Sequence, residues 1–373
     1  MERHVKARQY QRIRRRLTLI HLVLTPALLV VFLLSGLHLL FKDWAMAIAG
    51  SDDWLVIACY FTLFSLFFLV FDLPFSYYAG YRLEHQFALS NQTLGAWAGD
   101  FMKKSLLSFA LSLALVELLY LLIRVAPETW WIWAWGAYAF VSYFLGKIFP
   151  VLIVPLFYKY GKVEDQALAE RIKGLASRYG MPLQNVYSLN LSKTTKKANA
   201  AFMGIGKTRR VVLSDTLIAN FSHDEIETVV AHELGHFRAR DIWRLLGFGL
   251  IISAAAFYAG FHGMNLWARS FGIQSASDVA GLALLLLIFY GVSFALMPAQ
   301  NAYSRRREFA ADRFALNACR TPDVFISCMK KLGTVNLAEE NPPAWYEWMF
   351  YDHPSLARRI RVGEQYKIKK GGT

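Results

Sequence analysis

His232 and His236 stand four residues apart in the run His-Glu-Leu-Gly-His at 232–236. At 3.6 residues per turn, positions four apart share one helix face, so both imidazoles can reach a single metal ion. Glu233, beside the first histidine, is the residue type that takes a proton from a metal-activated water. The chemistry this suggests is zinc-dependent hydrolysis. The bland alternative is an amphipathic helix with two surface histidines. The flanks favour a well-specified, packed helix. Ser222 is a candidate N-cap with Glu225 three residues on, as in a capping box. Asp224, Glu225 and Glu227 place negative charge at the helix start, and Val229, Val230, Ala231, Leu234 and Phe237 offer a packing face.

A catalytic zinc site needs three protein ligands and leaves one position open. No histidine lies six residues beyond His236, where Ile242 stands. The best third ligand is Glu308, in Ser-Arg-Arg-Arg-Glu-Phe-Ala-Ala-Asp at 304–312, with Asp312 one helical turn further on. The geometry of the surrounding apolar runs supports it. His236 stands six residues before a run at 242–266, and Glu308 eight after a run at 278–300. The two runs form an antiparallel hairpin of nearly equal arms. If the helices continue past the membrane, both ligands stand roughly 10 Å above its surface. His262 is disfavoured by lying near the far end of the first arm. His353 is also a weaker candidate for this third position.

The rest of the chain explains why a hairpin is expected. It is 55% hydrophobic and 15% aromatic, and several apolar runs reach the length that spans a bilayer. Six are read, at 17–41, 54–80, 105–123, 130–157, 242–266 and 278–300. The first is too long for a signal-peptide core, and no convincing small-residue cleavage site follows it. The basic residues are asymmetric about these runs. Arg3, Lys6, Arg8, Arg12, Arg14, Arg15 and Arg16 precede the first span, and 158–241 is rich in Lys and Arg. Lys42, Arg124 and Arg269 lie on the other side. This places both termini and the large loop in the cytoplasm. The same asymmetry accounts for much of the net charge of +14, so no nucleic-acid partner is expected. Cys59, Cys319 and Cys328 show no metal spacing and no disulfide framework.

Outside the spans, 164–179 reads as a helix stopped by Gly180. Short β-like runs follow at 185–188 and 210–213, with a loop at 193–197 between them. Residues 301–373 read as helical, broken at Pro342-Pro343 and at Pro354. The expected fold is a predominantly α-helical polytopic membrane protein of about six spans. It carries a cytoplasmic zinc-site domain with a small β-sheet. The segments are 1–157 (spans one to four), 158–241 (with the histidine motif), 242–300 (the hairpin) and 301–373 (with the third ligand).

The three runs His-Glu-Leu-Gly-His, Ser-Arg-Arg-Arg-Glu-Phe-Ala-Ala-Asp and Asp-His-Pro-Ser-Leu-Ala-Arg-Arg at 352–359 resemble the CAAX prenyl protease type 1 family of integral-membrane zinc proteases. Further matching runs lie at 84–93, 153–160, 197–200 and 210–217. The resemblance covers roughly 80–361 in motif order. It implies that the cytoplasmic domain is a gluzincin-like zinc protease domain, with one zinc ion held by His232, His236 and Glu308, Glu233 as general base and Asp312 orienting a ligand imidazole. It also implies that Asn199, His353 and Arg359 bind substrate backbone or stabilise the oxyanion, and that the spans enclose a water-filled chamber. Glu117 and Lys147, inside spans three and four, fit such a cavity or a simple interhelical ion pair.

Two spans precede the 84–93 motif here, where the eukaryotic enzymes have three. The C-terminus lacks a dilysine retrieval signal. Both points favour a bacterial cytoplasmic membrane and weaken the expectation of prenylated substrates. The leading expectation is a membrane-embedded zinc metalloendopeptidase cutting membrane-associated polypeptides near the cytoplasmic face. Substrate is expected to add as a strand beside 199–204. The alternatives are a processing protease for prenylated tails and, in another class, a non-catalytic zinc-clamped scaffold or transporter. Retention of Glu233 argues against the last.

Overall fold

The computed structural model describes residues 2–181, 183, 185–203 and 210–371. Gly204, the end of the expected substrate edge, and the last two residues lie outside the described residues. The membrane part opens with α1 (Glu2–Leu34), α2 (Leu37–Ala49), α3 (Asp53–Tyr77) and α4 (Leu83–Gln86), the last two joined by a π-helical turn at Tyr78–Arg82. It continues with α5 (Leu94–Val125) and α6 (Trp130–Ile148), which runs on through short π and 3-10 turns to Leu156. In hydrocarbon, backbone groups must bond within their own segment, which leaves helices as the solution for runs of this length. Among the described residues, six helices are long and apolar enough to cross a membrane.

The apolar run read at 17–41 is not one helix. α1 stops at Leu34, Gly36 takes a left-handed backbone (φ 76°), and α2 restarts at Leu37. That conformation is open to glycine at no steric cost, and it turns the chain back onto the bundle. Phe32 at the end of α1 then packs among Phe41 of α2 and Phe64, Phe67 and Phe68 of α3.

The remaining helices and strands build a second part, interrupted once by the hairpin. In chain order these are β1 (Tyr160–Lys162), α7 (Gln166–Arg178), β2 (Val186–Leu189), β3 (Ala200–Met203), β4 (Arg210–Ser214), α8 (Asp215–Asn220) and α9 (His223–Arg238). The hairpin is α10 (Asp241–Trp267) and α11 (Leu282–Cys319). α12 (Pro322–Val335), α13 (Ala344–Phe350) and α14 (Leu356–Gly371) complete the chain. The long helices contact one another as a closed ring: α3 meets α5, α5 meets α6, α6 meets α10, α10 meets α11, and α11 meets α1. α2 joins α1 to α3 and closes the circle.

The strands form one sheet in the order β1-β2-β4-β3, with β2 and β4 parallel and the outer pairings antiparallel. β3 is therefore an edge. Ser214 N donates to Asn199 O, while Phe202 N donates away from the sheet to Glu233 Oε2. The alternation of an antiparallel ladder then turns the backbone groups of Ala200 and Phe202 outward. The two halves of this second part share one core. Leu168, Ile172 and Leu175 of α7, Leu213 of β4 and Ile226, Val230 and Leu234 of α9 pack with Leu316 of α11, Phe325 of α12 and Ile360 of α14.

α9 starts as its sequence specifies. The Ser222 side chain caps Glu225 N, and the Glu225 carboxylate returns to Ser222 N, closing a capping box. Glu225 is nearly buried, and Lys331 of α12 pairs with it at 2.9 Å. Burial pushes the Glu225 carboxyl up, but Lys331 and the Ser222 N–H outweigh it and hold its pKa low. At its other end α9 does not run on into α10. Arg240 takes a left-handed backbone (φ 56°), so the chain turns sharply between the motif helix and span five. α11, by contrast, is continuous from the membrane through Glu308 to Cys319.

α9 lies against the upper half of α11 with Gly235 at the crossing. A Cβ there would stand 3.0 Å from the Ala311 Cα and 3.2 Å from Phe314. Because Ala311 Cα is backbone, a larger residue must move a whole helix, at a cost of about 1–3 kcal/mol. Gly235→Val is expected to lower the thermal midpoint and to weaken metal retention at least about tenfold, more than a strain of that size elsewhere would. Chelator titration of purified protein measures this. Unchanged retention would show that the close approach does not place Glu308.

Candidate metal centre and active site

The capping box starts α9 in register, and its packed face turns His232 and His236 toward α11. Their Nε2 atoms lie 3.1 Å apart. Glu308 arrives from α11 with Oε1 3.1 Å from His236 Nε2 and Oε2 3.3 Å from His232 Nε2. The three side chains form a compact group of potential metal ligands. Glu308 is 5% exposed, and its Oε2 has no hydrogen-bond partner among the described residues. Three such atoms gathered without enough protons to join them are a set of lone pairs in need of a cation. The spacing suits zinc, whose tetrahedral ligands at about 2.0–2.1 Å lie about 3.3 Å from each other.

Each imidazole is braced on its other nitrogen. His232 Nδ1 lies 2.9 Å from Asp312 Oδ1, and His236 Nδ1 lies 3.0 Å from Asp241 Oδ2. Both aspartates are almost fully buried, and each is held by an arginine. Arg359 reaches Asp312 at 2.6 and 3.0 Å, and Arg307 Nε donates to Asp241 Oδ1 at 2.6 Å. A carboxylate on Nδ1 fixes the tautomer that leaves Nε2 free to ligate. Burial and Arg359 press the His232 pKa down, but Asp312 and Glu308 outweigh them and raise it to about 9. Metal and proton therefore compete for this nitrogen.

Arg359, which the resemblance implies for substrate backbone or the oxyanion, is turned toward Asp312. Its Nη2 sits 3.3 Å from His232 Nδ1, behind the imidazole and away from the nitrogen that faces Glu308. The physical reason is its helix. α14 packs on α12 and α11, which turns the guanidinium into the buried Asp312 rather than toward the cleft. His353 does stand at the front. It is exposed, with Nε2 3.3 Å from Glu308 Oε1 and Nδ1 2.9 Å from Asp352. Asp352 raises its pKa above the ordinary histidine value against the effect of burial.

Asp241 and Arg307 were missed in the sequence. Asp241 reads there as the last charge before an apolar run, and Arg307 as one of three consecutive arginines. The available signal was the spacing, since an acid five residues after His236 can return to it across a turn. The sharp turn at Arg240, which carries no glycine, hid this.

Around the centre lies a cleft of about 980 Å³. Glu233, His353, Asn199 and the outward edge residues Ala200 and Phe202 all line it. Glu233 holds the Phe202 N–H at 3.3 Å, so the acid is tied to the free strand edge.

Residues 162–366 match the profile of peptidase family M48. The chain belongs to this family. Residues 1–159 match a second profile, described as CAAX prenyl protease N-terminal, five membrane helices. In this M48 peptidase that region holds four long spans and the short α2. The chain is 30% identical to the uncharacterized metalloprotease YhfN of Bacillus subtilis over 96% of its own length and 85% of the relative's. It is 27% identical to CAAX prenyl protease 1 of Saccharomyces cerevisiae, covering 98% and 86%. The crystal structure of S. mikatae Ste24p superposes with a TM-score of 0.88 at 25% identity, over 97% of this chain and 89% of that one. The protein is thus a multi-pass, membrane-embedded metalloprotease.

The Asp241–Arg307 brace has a measurable consequence. Asp241→Asn keeps the shape but removes the charge that orients His236, and is expected to weaken metal affinity about 10–100-fold. Competition with a chromophoric chelator measures it. Unaltered affinity would reduce the brace to a packing feature.

Proposed function

We propose that this M48 peptidase is a zinc endopeptidase that cuts bilayer-associated polypeptides close to the membrane surface. The observation that carries the reading is the His232–His236–Glu308 triangle, set in one cleft with Glu233 and a free strand edge. A zinc ion bound there would polarise the scissile carbonyl and acidify a water molecule. Glu233 takes the proton of the attacking water and delivers it to the leaving amine. His353, exposed at the front of the centre, donates to the carbonyl oxygen as negative charge develops. Asp312 with Arg359, and Asp241 with Arg307, hold the two imidazoles in their ligating orientation. The outward backbone groups of Ala200 and the outward carbonyl of Phe202, whose N–H is held by Glu233, face an extended substrate, which gives main-chain recognition and little sequence preference. Asn199, at the head of that edge, is placed to hold substrate backbone.

The basic clusters on one side of the spans support a cytoplasmic catalytic face with both termini cytoplasmic. The likeness to the Bacillus protein supports a bacterial cytoplasmic membrane. Prenylated tails are the second substrate reading, supported by the relatives named CAAX prenyl protease 1.

One variant tests both. Glu233→Gln is expected to keep its metal and to lose at least about 10³-fold in peptidase rate. Recovered from its native membrane, it should retain uncut polypeptide. Hydrolysis at the parental rate would rule out the mechanism. Exclusive retention of prenylated chains would decide for the second reading.

A further inference from the structure

We propose that α13 is a foot on the bilayer. Trp345 and Trp348 seat in the headgroup–acyl boundary of the leaflet from which α11 emerges, and so fix the height of His353 above the membrane. α13 is two-sided. Tyr346 and Glu347 are buried, while Trp345 and Trp348, three residues apart on the other face, are 56% and 59% exposed. Neither tryptophan lines the catalytic cleft.

The inner face is locked to the exit of span six. Asn301 Nδ2 donates to Met349 O at 2.6 Å, and Arg305 Nη1 donates to Glu347 O at 3.0 Å and also to Tyr351 O. Asn301, Arg305 and Glu308 follow one another along one face of α11, at the spacing of successive turns. Asn301 is the first residue after the apolar run ending at 300. α13 therefore lies where α11 leaves the hydrocarbon, and Glu308 stands about 10 Å higher at 1.5 Å per residue.

The occupant of the tryptophan face is argued from that continuity with the membrane boundary and from charge. Indole rings favour the interface, where an apolar body meets a polar edge. Exposed Arg12, Arg16 and Arg306 belong to the same end of the bundle, and complement anionic lipid headgroups.

The foot is connected to the chemistry. The segment after α13 carries His353, 3.3 Å from Glu308. It is braced by the Glu347 carboxylate, which accepts from Ser355 N at 3.1 Å and Arg358 Nη1 at 3.0 Å. A helix resting on lipid thus sets both the orientation and the height of this histidine. Resting on the proposed role of His353, the consequence is a ruler: bonds about 10 Å above the bilayer are cut in preference to those further out.

The test uses the full chain in lipid nanodiscs. Tryptophan emission is compared between the parent and Trp345→Phe/Trp348→Phe, in lipids brominated near the headgroup or deep in the acyl chain, and with aqueous iodide. The emission lost in the variant is expected to be quenched most by the shallow bromines. Stronger quenching by iodide, or by deep bromines, overturns the foot whatever the protein cleaves. A Trp345→Glu/Trp348→Glu variant adds the functional arm. It is expected to lose roughly tenfold on a bilayer-anchored substrate while cleaving a short soluble peptide normally. Equal effects on both substrates would remove the ruler.

Discussion

The proposed metal centre depends on how closely α9 and α11 approach. Two histidines on one helix face supply two ligands anywhere; the third has to come from another helix and stop within about 3 Å of both. Gly235 permits that approach by leaving no side chain between α9 and the backbone of Ala311. Glu308 is 5% exposed, and one of its carboxylate oxygens has no hydrogen-bond partner among the described residues. Burial costs about 1–3 kcal/mol for an unsatisfied polar atom, a strain that a bound cation relieves. The His–Asp–Arg chains extend this logic outward, since each buried aspartate is neutralised by an arginine and each imidazole is turned by its aspartate.

The membrane part contributes rigidity of a particular kind. α11 is one helix from the bilayer to beyond Glu308, so Glu308 rides on a membrane-anchored rod. α9 is separated from α10 by the turn at Arg240, yet Asp241, the first residue of α10, returns to His236. Both arms of the hairpin therefore reach His236, one through Glu308 and the other through Asp241. A change in the spacing of these two spans would be felt at the metal before it was felt in the sheet.

Much of this was legible in the sequence because the signals were local or were set by the bilayer. The cap and first turn of α9 are short-range chemistry, and the spans follow from run length. The hairpin argument led to Glu308, although one of its premises was wrong: α11 continues out of the membrane and α9 does not continue into it. That break, like the end of α1 at Leu34, rests on one residue with positive φ. Gly36 advertises such a break weakly, and Arg240 does not advertise it at all. The contacts that Arg359 makes to Asp312 and Asp241 to His236 were illegible for another reason. Their roles depend on which way a side chain turns once α14 and α10 have packed, and no spacing rule encodes that.

X-ray absorption at the metal edge of the purified, metal-loaded protein tests the centre most directly, because it reads the ligands without an assay. Two imidazoles and a carboxylate oxygen, in a four-coordinate shell of nitrogen and oxygen at about 2.0–2.1 Å, are expected. A sulfur scatterer, or a shell without imidazole, would contradict the account.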